Sequence, residues 1–264
     1  MKENLITSLL SQKPIQSLFN IFENELIEIC LVGGSVRDIF LGKISSDIDI
    51  AANIVPSKII PILKKNNLSY EDYAYKYGSI NAFIDSQKFQ ITSLRQDVNQ
   101  MGRHTNIIYT QDWEKDAARR DFTINGMYLS KNGKIRDFFK GKKDLNNNII
   151  RFIGNIESSI QEDFLRIFRY YRFLGAFKKP NIIKEYDEVL INYLEQSFNF
   201  LSNDLIRQEI LKMFNSSFPL NSFFNDKKNV KKKAWVELTK KHFIKTGYEI
   251  GLTRCLNKID LLIN

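Results

Sequence analysis

The sequence predicts an α+β chain in two parts: a mixed sheet-and-helix domain over residues 1–150, then an all-helical part over residues 151–264. Three observations predict it. Up to about residue 150, short strand-like runs alternate with helical stretches. Beyond Arg151, apolar residues recur at helical spacing with little interruption. Glycine, which punctuates the first part, is rare in the second.

The elements follow in order. Residues 5–24 carry Leu5, Leu9, Ile15, Leu18 and Phe22 at helical spacing, with Pro14 as a break. Residues 27–32 (Ile-Glu-Ile-Cys-Leu-Val) form a short strand that ends at Gly33-Gly34. Residues 35–41 make a short helix stopped by Gly42, and residues 47–51 (Asp-Ile-Asp-Ile-Ala) the next strand. Residues 56–65 read as a helix because proline is tolerated in a first turn. Further strands are expected at 79–83, 88–93 and 135–138, with a turn at Lys140-Gly141. Helices are expected at 159–177, 182–196, 204–214 and 231–246.

Bulk properties narrow the class. With 264 residues, 43% hydrophobic and 26% charged, the chain has material for a core and for more than one domain, and it is not a disordered one. A net charge of +9 suits a polyanionic partner such as nucleic acid, although many basic proteins gain only solubility from it. Two cysteines, Cys30 and Cys255, and two histidines exclude a zinc site of the usual spacing. Cys30 sits in an apolar run and reads as a small core residue, and the usage fits a reducing compartment. Glu3, Glu23 and Glu25 argue against a transit peptide, and no apolar run is long enough to span a membrane, so the expected location is cytoplasmic. Eight lysines between Lys227 and Lys245 form the densest positive stretch, either a solvated helical face or a contact surface for RNA phosphates.

Three constellations carry chemistry. The first is Gly33-Gly34-Ser35-Val36-Arg37-Asp38 with Asp47-Ile48-Asp49. A glycine pair between strand and helix lets backbone amides approach an anion, and Arg37 lies one turn in, although such a turn is also a common structural feature. On a strand, Asp47 and Asp49 share a face while Ile48 and Ile50 point the other way. Two carboxylates on one face offer the hard oxygen ligands that Mg²⁺ prefers, with room left for triphosphate oxygens. The second is Arg119-Arg120-Asp121-Phe122-Thr123-Ile124-Asn125, a charged triplet before an alternating run, equally compatible with a loop and an edge strand. The third is Glu162-Asp163-Phe164-Leu165-Arg166 with Arg169 and Arg172. On a helix of about 3.6 residues per turn, the three arginines fall within an arc of about 120°, which Asp163 widens to about 180°. Ser159 and Glu162 also have the spacing of a capping box, which would make Glu162 a helix start.

Together these motifs resemble the class II tRNA nucleotidyltransferase and bacterial poly(A) polymerase family of the DNA polymerase beta superfamily. The resemblance covers roughly residues 31–177 and fades past Glu209. It implies a polymerase-beta-like nucleotidyltransferase head followed by a helical neck and a body shorter than in relatives. It implies template-independent CCA addition to tRNA from CTP and ATP, with Mg²⁺ held by the catalytic Asp47 and Asp49. Gly34, Arg37, Arg120, Asp163, Arg166, Arg169 and Arg172 would bind the nucleotide. Asp121 and Asn125 would order the site around sugar and phosphates. Asp163 and Arg166 would read the Watson–Crick edge of C and A, and Arg169 and Arg172 would serve phosphates or hold that pair rigid. Residues 89–97 with Gly102-Arg103-His104 resemble the family's strand and flexible loop, which favours full CCA addition; His104 is either a phosphate contact or incidental. Gln90 departs from the pattern, since relatives often carry an acidic residue there. A poly(A) polymerase, a CC-only or A-only enzyme, and a non-catalytic RNA-binding protein on the same fold are the alternatives, with a small-molecule nucleotidyltransferase of the same superfamily disfavoured by the Glu-Asp-x-x-Arg helix and the basic charge.

Overall fold

The computed structural model describes residues 2–45, 47–101, 104–226, 231–248 and 250–261. The chain divides into two compact units, the first holding residues 1–100 and 104–147, the second residues 101–103 and 148–264. The architecture is α+β.

The first unit opens with helices α1 (Lys2–Leu10) and α2 (Lys13–Asn24). Pro14 lies in the first turn of α2, where its missing N–H costs nothing, so the break falls just ahead of it. Then come β1 (Ile29–Val32), α3 (Gly34–Phe40), β2 (Ile48–Ala52), α4 (Pro56–Lys65), β3 (Ser69–Glu71), β4 (Ser79–Ile84) and β5 (Gln87–Ser93). A ribbon of β6 (Arg95–Met101) and β7 (His104–Tyr109) leads to α5 (Trp113–Ala118), β8 (Met127–Leu129), β9 (Ile135–Asp137) and α6 (Gly141–Asn146). Seven strands form one mixed sheet in the order β3-β4-β5-β2-β1-β8-β9. Only the central β2–β5 pair is parallel.

The alternation of β2 decides which face is buried. Ile48 and Ile50 are fully enclosed, together with Phe89 and Ile91 of β5 and Ile80 and Ala82 of β4. The other face carries a polar row in register, Asp49–Gln90–Asn81–Glu71, one residue from each of β2, β5, β4 and β3. Cys30 packs with Val32, Ala51, Leu94, Ala117 and Tyr128. Burial pushes its thiol up to about 12, so it stays an unreactive core residue.

The second unit holds α7 (Ile156–Glu162), α8 (Leu165–Leu174), α9 (Lys184–Ser197), α10 (Asn203–Phe214), α11 (Leu220–Phe223), α12 (Ala234–Lys245) and α13 (Ile250–Leu261). Trp235 anchors its core, with Tyr171 stacked at 5.3 Å and Phe168 edge-on at 6.0 Å. Two expectations are corrected here. The unit is not purely helical, because β10 (Phe224–Asp226) and β11 (Lys231–Lys232) pair in a small ribbon. The helix expected over 159–177 is two helices parted at Asp163, whose backbone is extended (φ −151°, ψ 102°). Among the described residues, no helix is long and apolar enough to cross a membrane.

Candidate functional site

The site in the first unit is built around the turn from β1 into α3. Gly33 has φ +64°, a left-handed conformation that favours glycine. The space its missing side chain would fill is bordered by Asp49 Oδ2 and Arg120 Nη1, each 3.7 Å from the position of a Cβ. At Gly34 the corresponding neighbours are Arg37 Nη2 at 3.5 Å and Asp49 Oδ2 at 4.0 Å. Bare backbone, one carboxylate and two guanidiniums therefore meet at a single turn.

Asp49 sits on β2, but Asp47 does not: it occupies an exposed bend one residue before the strand. What joins the two is Ser35, a buried residue of α3. Its Oγ accepts from the Asp49 N–H (2.9 Å) and donates to the Asp47 carbonyl (3.2 Å). β1 pairs with β2 only as far as Leu31–Ile50 before it turns at Gly33. Ser35 supplies the partners that the ladder no longer offers.

Each of these two arginines is held by a carboxylate. Arg37 pairs with Asp38 at 2.8 Å, and its Nη1 donates to Asn125 Oδ1 (2.9 Å). Asn125 in turn donates to Asp121 Oδ1 (2.9 Å), which also accepts from the Phe122 N–H. Arg120 Nη2 donates to Asp116 Oδ2 (2.9 Å), and its Nε donates to the Tyr128 hydroxyl (3.3 Å). Tyr128 donates to the same Asp116 oxygen at 2.7 Å. Asp116 Oδ1 accepts from Arg119 Nε (2.9 Å) and from the Arg95 N–H (3.2 Å). Asp97 lies 3.1 Å from Arg95 and 3.8 Å from Arg119.

Asp116 is 1% exposed. Burial alone would push its carboxyl up, but Arg120, Arg119 and the Tyr128 hydroxyl outweigh it and hold it well below the usual carboxylate range. Burial likewise opposes charge on Arg120, and Asp116 reverses that, so Arg120 is held above the ordinary guanidinium value. Burial pushes the Tyr128 hydroxyl up, which keeps it a proton donor. Ser35, Asp116 and Tyr128 were not among the residues the sequence singled out for a role.

For a metal, the donor set is small. Among the described residues, no group of three or more His, Cys, Asp and Glu side chains could hold an ion. Gln90 stands directly opposite Asp49 in the parallel register, so the third position offers an amide. Two carboxylates still fit Mg²⁺, which is commonly bound through one or two protein carboxylates with water and phosphate oxygens completing the shell.

In the second unit, Asp163 ends α7 and its Oδ1 accepts from the Leu165 N–H (3.0 Å) at the start of α8. Arg166 is buried, and its Nη1 donates to the Ser159 hydroxyl (2.6 Å), the Ser159 carbonyl (3.1 Å) and Glu162 Oε2 (2.8 Å). The capping-box reading is corrected: α7 begins at Ile156, with Asn155 as its cap, so Ser159 and Glu162 lie inside the helix and hold Arg166. Arg172 pairs with the buried Glu209 at 2.6 Å, and Lys212 also reaches Glu209, at 2.9 Å. Arg169 is half-buried on the same helix. Of the lysine stretch, Lys233 is buried against Asn225 and Lys232 pairs with Glu237, so neither belongs to a freely solvated face. Arg103, Lys227, Lys228 and the side chain of His104 lie outside the described residues.

Residues 29–151 match the poly(A) polymerase head domain. Over these residues the chain is similar to the class II tRNA nucleotidyltransferase and poly(A) polymerase family. It is 39% identical over 180 residues to the mitochondrial CCA tRNA nucleotidyltransferase 1 of Danio rerio, a match covering 65% of this chain and 42% of that protein. Its fold superposes on the Bacillus stearothermophilus CCA-adding enzyme in complex with CTP (TM-score 0.70, 24% identity), over 80% of this chain and 51% of that one. The Thermotoga maritima CCA-adding enzyme complexed with tRNA gives a TM-score of 0.63 at 27% identity, over 82% of this chain and 52% of that one. The chain thus spans about half the length of the family members it matches.

Proposed function

We propose that this chain carries the catalytic and nucleotide-selecting part of a CCA-adding enzyme. It extends the 3′ end of a tRNA lacking CCA, taking CTP and ATP and releasing pyrophosphate. The observation that carries this reading is the Asp49 carboxylate set against a side-chain-free glycine turn between Arg37 and Arg120. Hydrolysis of a neutral substrate would have little use for two guanidiniums there; transfer from a triphosphate needs them to hold the phosphate charge.

The roles follow from the chemistry of each group. Asp47 and Asp49 hold Mg²⁺, which when bound supplies Lewis-acid stabilisation of the charge on the attacking and leaving oxygens. Gly33 and Gly34 let the triphosphate approach the main chain. Arg37 and Arg120 neutralise its phosphates, and Asp121 and Asn125 keep Arg37 in place. In residues 148–264, proposed as the neck and body, Asp163 accepts from the exocyclic amino group that C and A share, and Arg166 donates to ring nitrogen or carbonyl acceptors. Arg172, fixed by Glu209, and Arg169 steady that pair or meet phosphates. We place the protein in the cytoplasm, and the mitochondrial relatives make location a property to be measured.

The test supplies purified protein with Mg²⁺ and a tRNA lacking CCA, adds CTP, ATP or both, and sizes the products. Growth by two residues with CTP and by three with both supports the proposal. Long A tails would reassign the chain as a poly(A) polymerase, and growth by C alone or A alone as a partial enzyme. No growth, with tRNA still bound, would leave an RNA-binding protein. Asp47→Ala and Asp49→Ala should abolish turnover while tRNA binding persists; full activity in either removes that residue from the metal site.

A further inference from the structure

Arg120 reaches the Gly33 turn on a long, flexible side chain, and ordering such a chain costs rotamer entropy on every binding event unless the protein has already ordered it. Its guanidinium has three nitrogens with distinct duties. Nη2 is bound by Asp116 and Nε by the Tyr128 hydroxyl, while Nη1 lies 3.7 Å from the place a Cβ would take at Gly33. The ring of Tyr128 also lies 5.4 Å from the guanidinium carbon. Two edges are thus fastened from behind, and the third is presented at the turn.

Asp116 is suited to fasten them. It is enclosed, its two oxygens collect donors from Arg119, Arg120, Tyr128 and the Arg95 main chain, and it sits on α5 one turn before Arg120. A carboxylate enclosed among such donors has one orientation available, and it passes that orientation to whatever it binds.

We propose that Asp116 is a positioning residue for nucleotide binding: it does not touch the nucleotide, and it acts by holding the Arg120 guanidinium at the Gly33–Gly34 turn. This rests on the reading of Arg120 as a phosphate contact.

The experiment is a double-mutant cycle read by CTP affinity, measured calorimetrically on the full chain with Mg²⁺ and without tRNA, so that turnover is not involved. The variants are Asp116→Asn, Arg120→Ala and the double variant. Arg120→Ala should weaken CTP binding on the order of tenfold or more, and Asp116→Asn by several-fold, as losses of charge-assisted contacts do. The double variant should bind CTP no more weakly than Arg120→Ala alone, because the effect of Asp116 is already gone. A merely structural role would instead multiply the two losses, and that outcome overturns the proposal. So does unchanged affinity in Asp116→Asn when Arg120→Ala is weakened. Unchanged affinity in Arg120→Ala refutes the phosphate-contact reading itself, and the proposal falls with it. If Asp116→Asn does not fold, Tyr128→Phe, which removes only the hydroxyl that Asp116 and Arg120 share, replaces it in the same cycle with the same expectations.

Discussion

Ser35→Ala tests how much of the active geometry depends on one buried hydroxyl. The substitution deletes an acceptor 2.9 Å from the Asp49 N–H and a donor 3.2 Å from the Asp47 carbonyl. Ser35 is 1% exposed, so water does not replace it readily. Stranding a buried N–H costs about 1–3 kcal/mol, and a central value near ~2 kcal/mol is reasonable for this pair. In a unit of this size that corresponds to a fall in melting temperature of about 4–8 °C. The same free energy, if it is spent misplacing the two carboxylates, slows chemistry by roughly 30-fold. The assay is single-turnover CMP incorporation onto tRNA lacking CCA at saturating CTP, well below the melting point, with a thermal melt alongside. The expected result is a 10- to 30-fold slower step with little change in the CTP concentration for half saturation. A folded Ser35→Ala variant that turns over at the wild-type rate would refute the argument that this hydroxyl sets the aspartates.

Three further outcomes are expected. Gly141→Ala should destabilise the first unit by about 1–3 kcal/mol in urea titration, because a Cβ there would overlap the Thr123 carbonyl behind the Arg119–Asn125 segment; a neutral effect would mean that α6 can shift freely. Asp116 is held below its ordinary value of 3.8, so its contribution to stability is present above that pH and is lost as the pH falls through the folded value; the melting temperature should drop more steeply below about pH 3.8 in the wild type than in Asp116→Asn, and equal slopes would contradict it. Gln90→Glu places a carboxylate about 5 Å across the sheet from Asp49 and should lower the Mg²⁺ concentration for half-maximal CMP incorporation severalfold; an unchanged Mg²⁺ curve would put position 90 outside the metal's reach.

What the sequence made legible was whatever depends on local pattern. Ile48 and Ile50 flanking Asp49 announced a strand with one face buried, and Gly33-Gly34 announced the turn, but the strand face shared by Asp47 and Asp49 was not there, because β2 starts only at Ile48. What it hid depends on distant partners or on competition within the backbone. The residues of β6, Arg95 to Met101, are mostly polar, and Val98 and Met101 do not follow a period of two, so periodicity did not mark them as half of a ribbon. Residues 159–174 contain neither proline nor glycine, yet the helix parts at Asp163, where a side-chain oxygen takes the N–H of Leu165 and replaces a helical bond. Asp116 stands in no motif of its own; only the fold brings Arg95 and Tyr128 to it. Lys233 sat in a run of lysines and is buried because its segment returns to the core beside Trp235.

The break at Asp163 bears directly on how side chains alone could choose a base. Had residues 159–177 formed one helix, Asp163 and Arg166 would be neighbours on a surface, each free to change rotamer. Instead the Asp163 carboxylate is oriented by the backbone it caps, and Arg166 is clasped by a hydroxyl, a carbonyl and a carboxylate of the preceding helix. A reader that must accept C and A while refusing U cannot let its acceptor swing aside, because a displaced acceptor would tolerate the U carbonyl as well as an amino group. Rigidity turns a wrong base into unpaired polar groups, and that penalty provides the discrimination. Under the proposed function, Glu162 and Ser159 therefore contribute to selectivity although they start no helix. The feature that defeated the sequence reading of this segment, a side chain competing with its own helix, is also what fixes the acceptor.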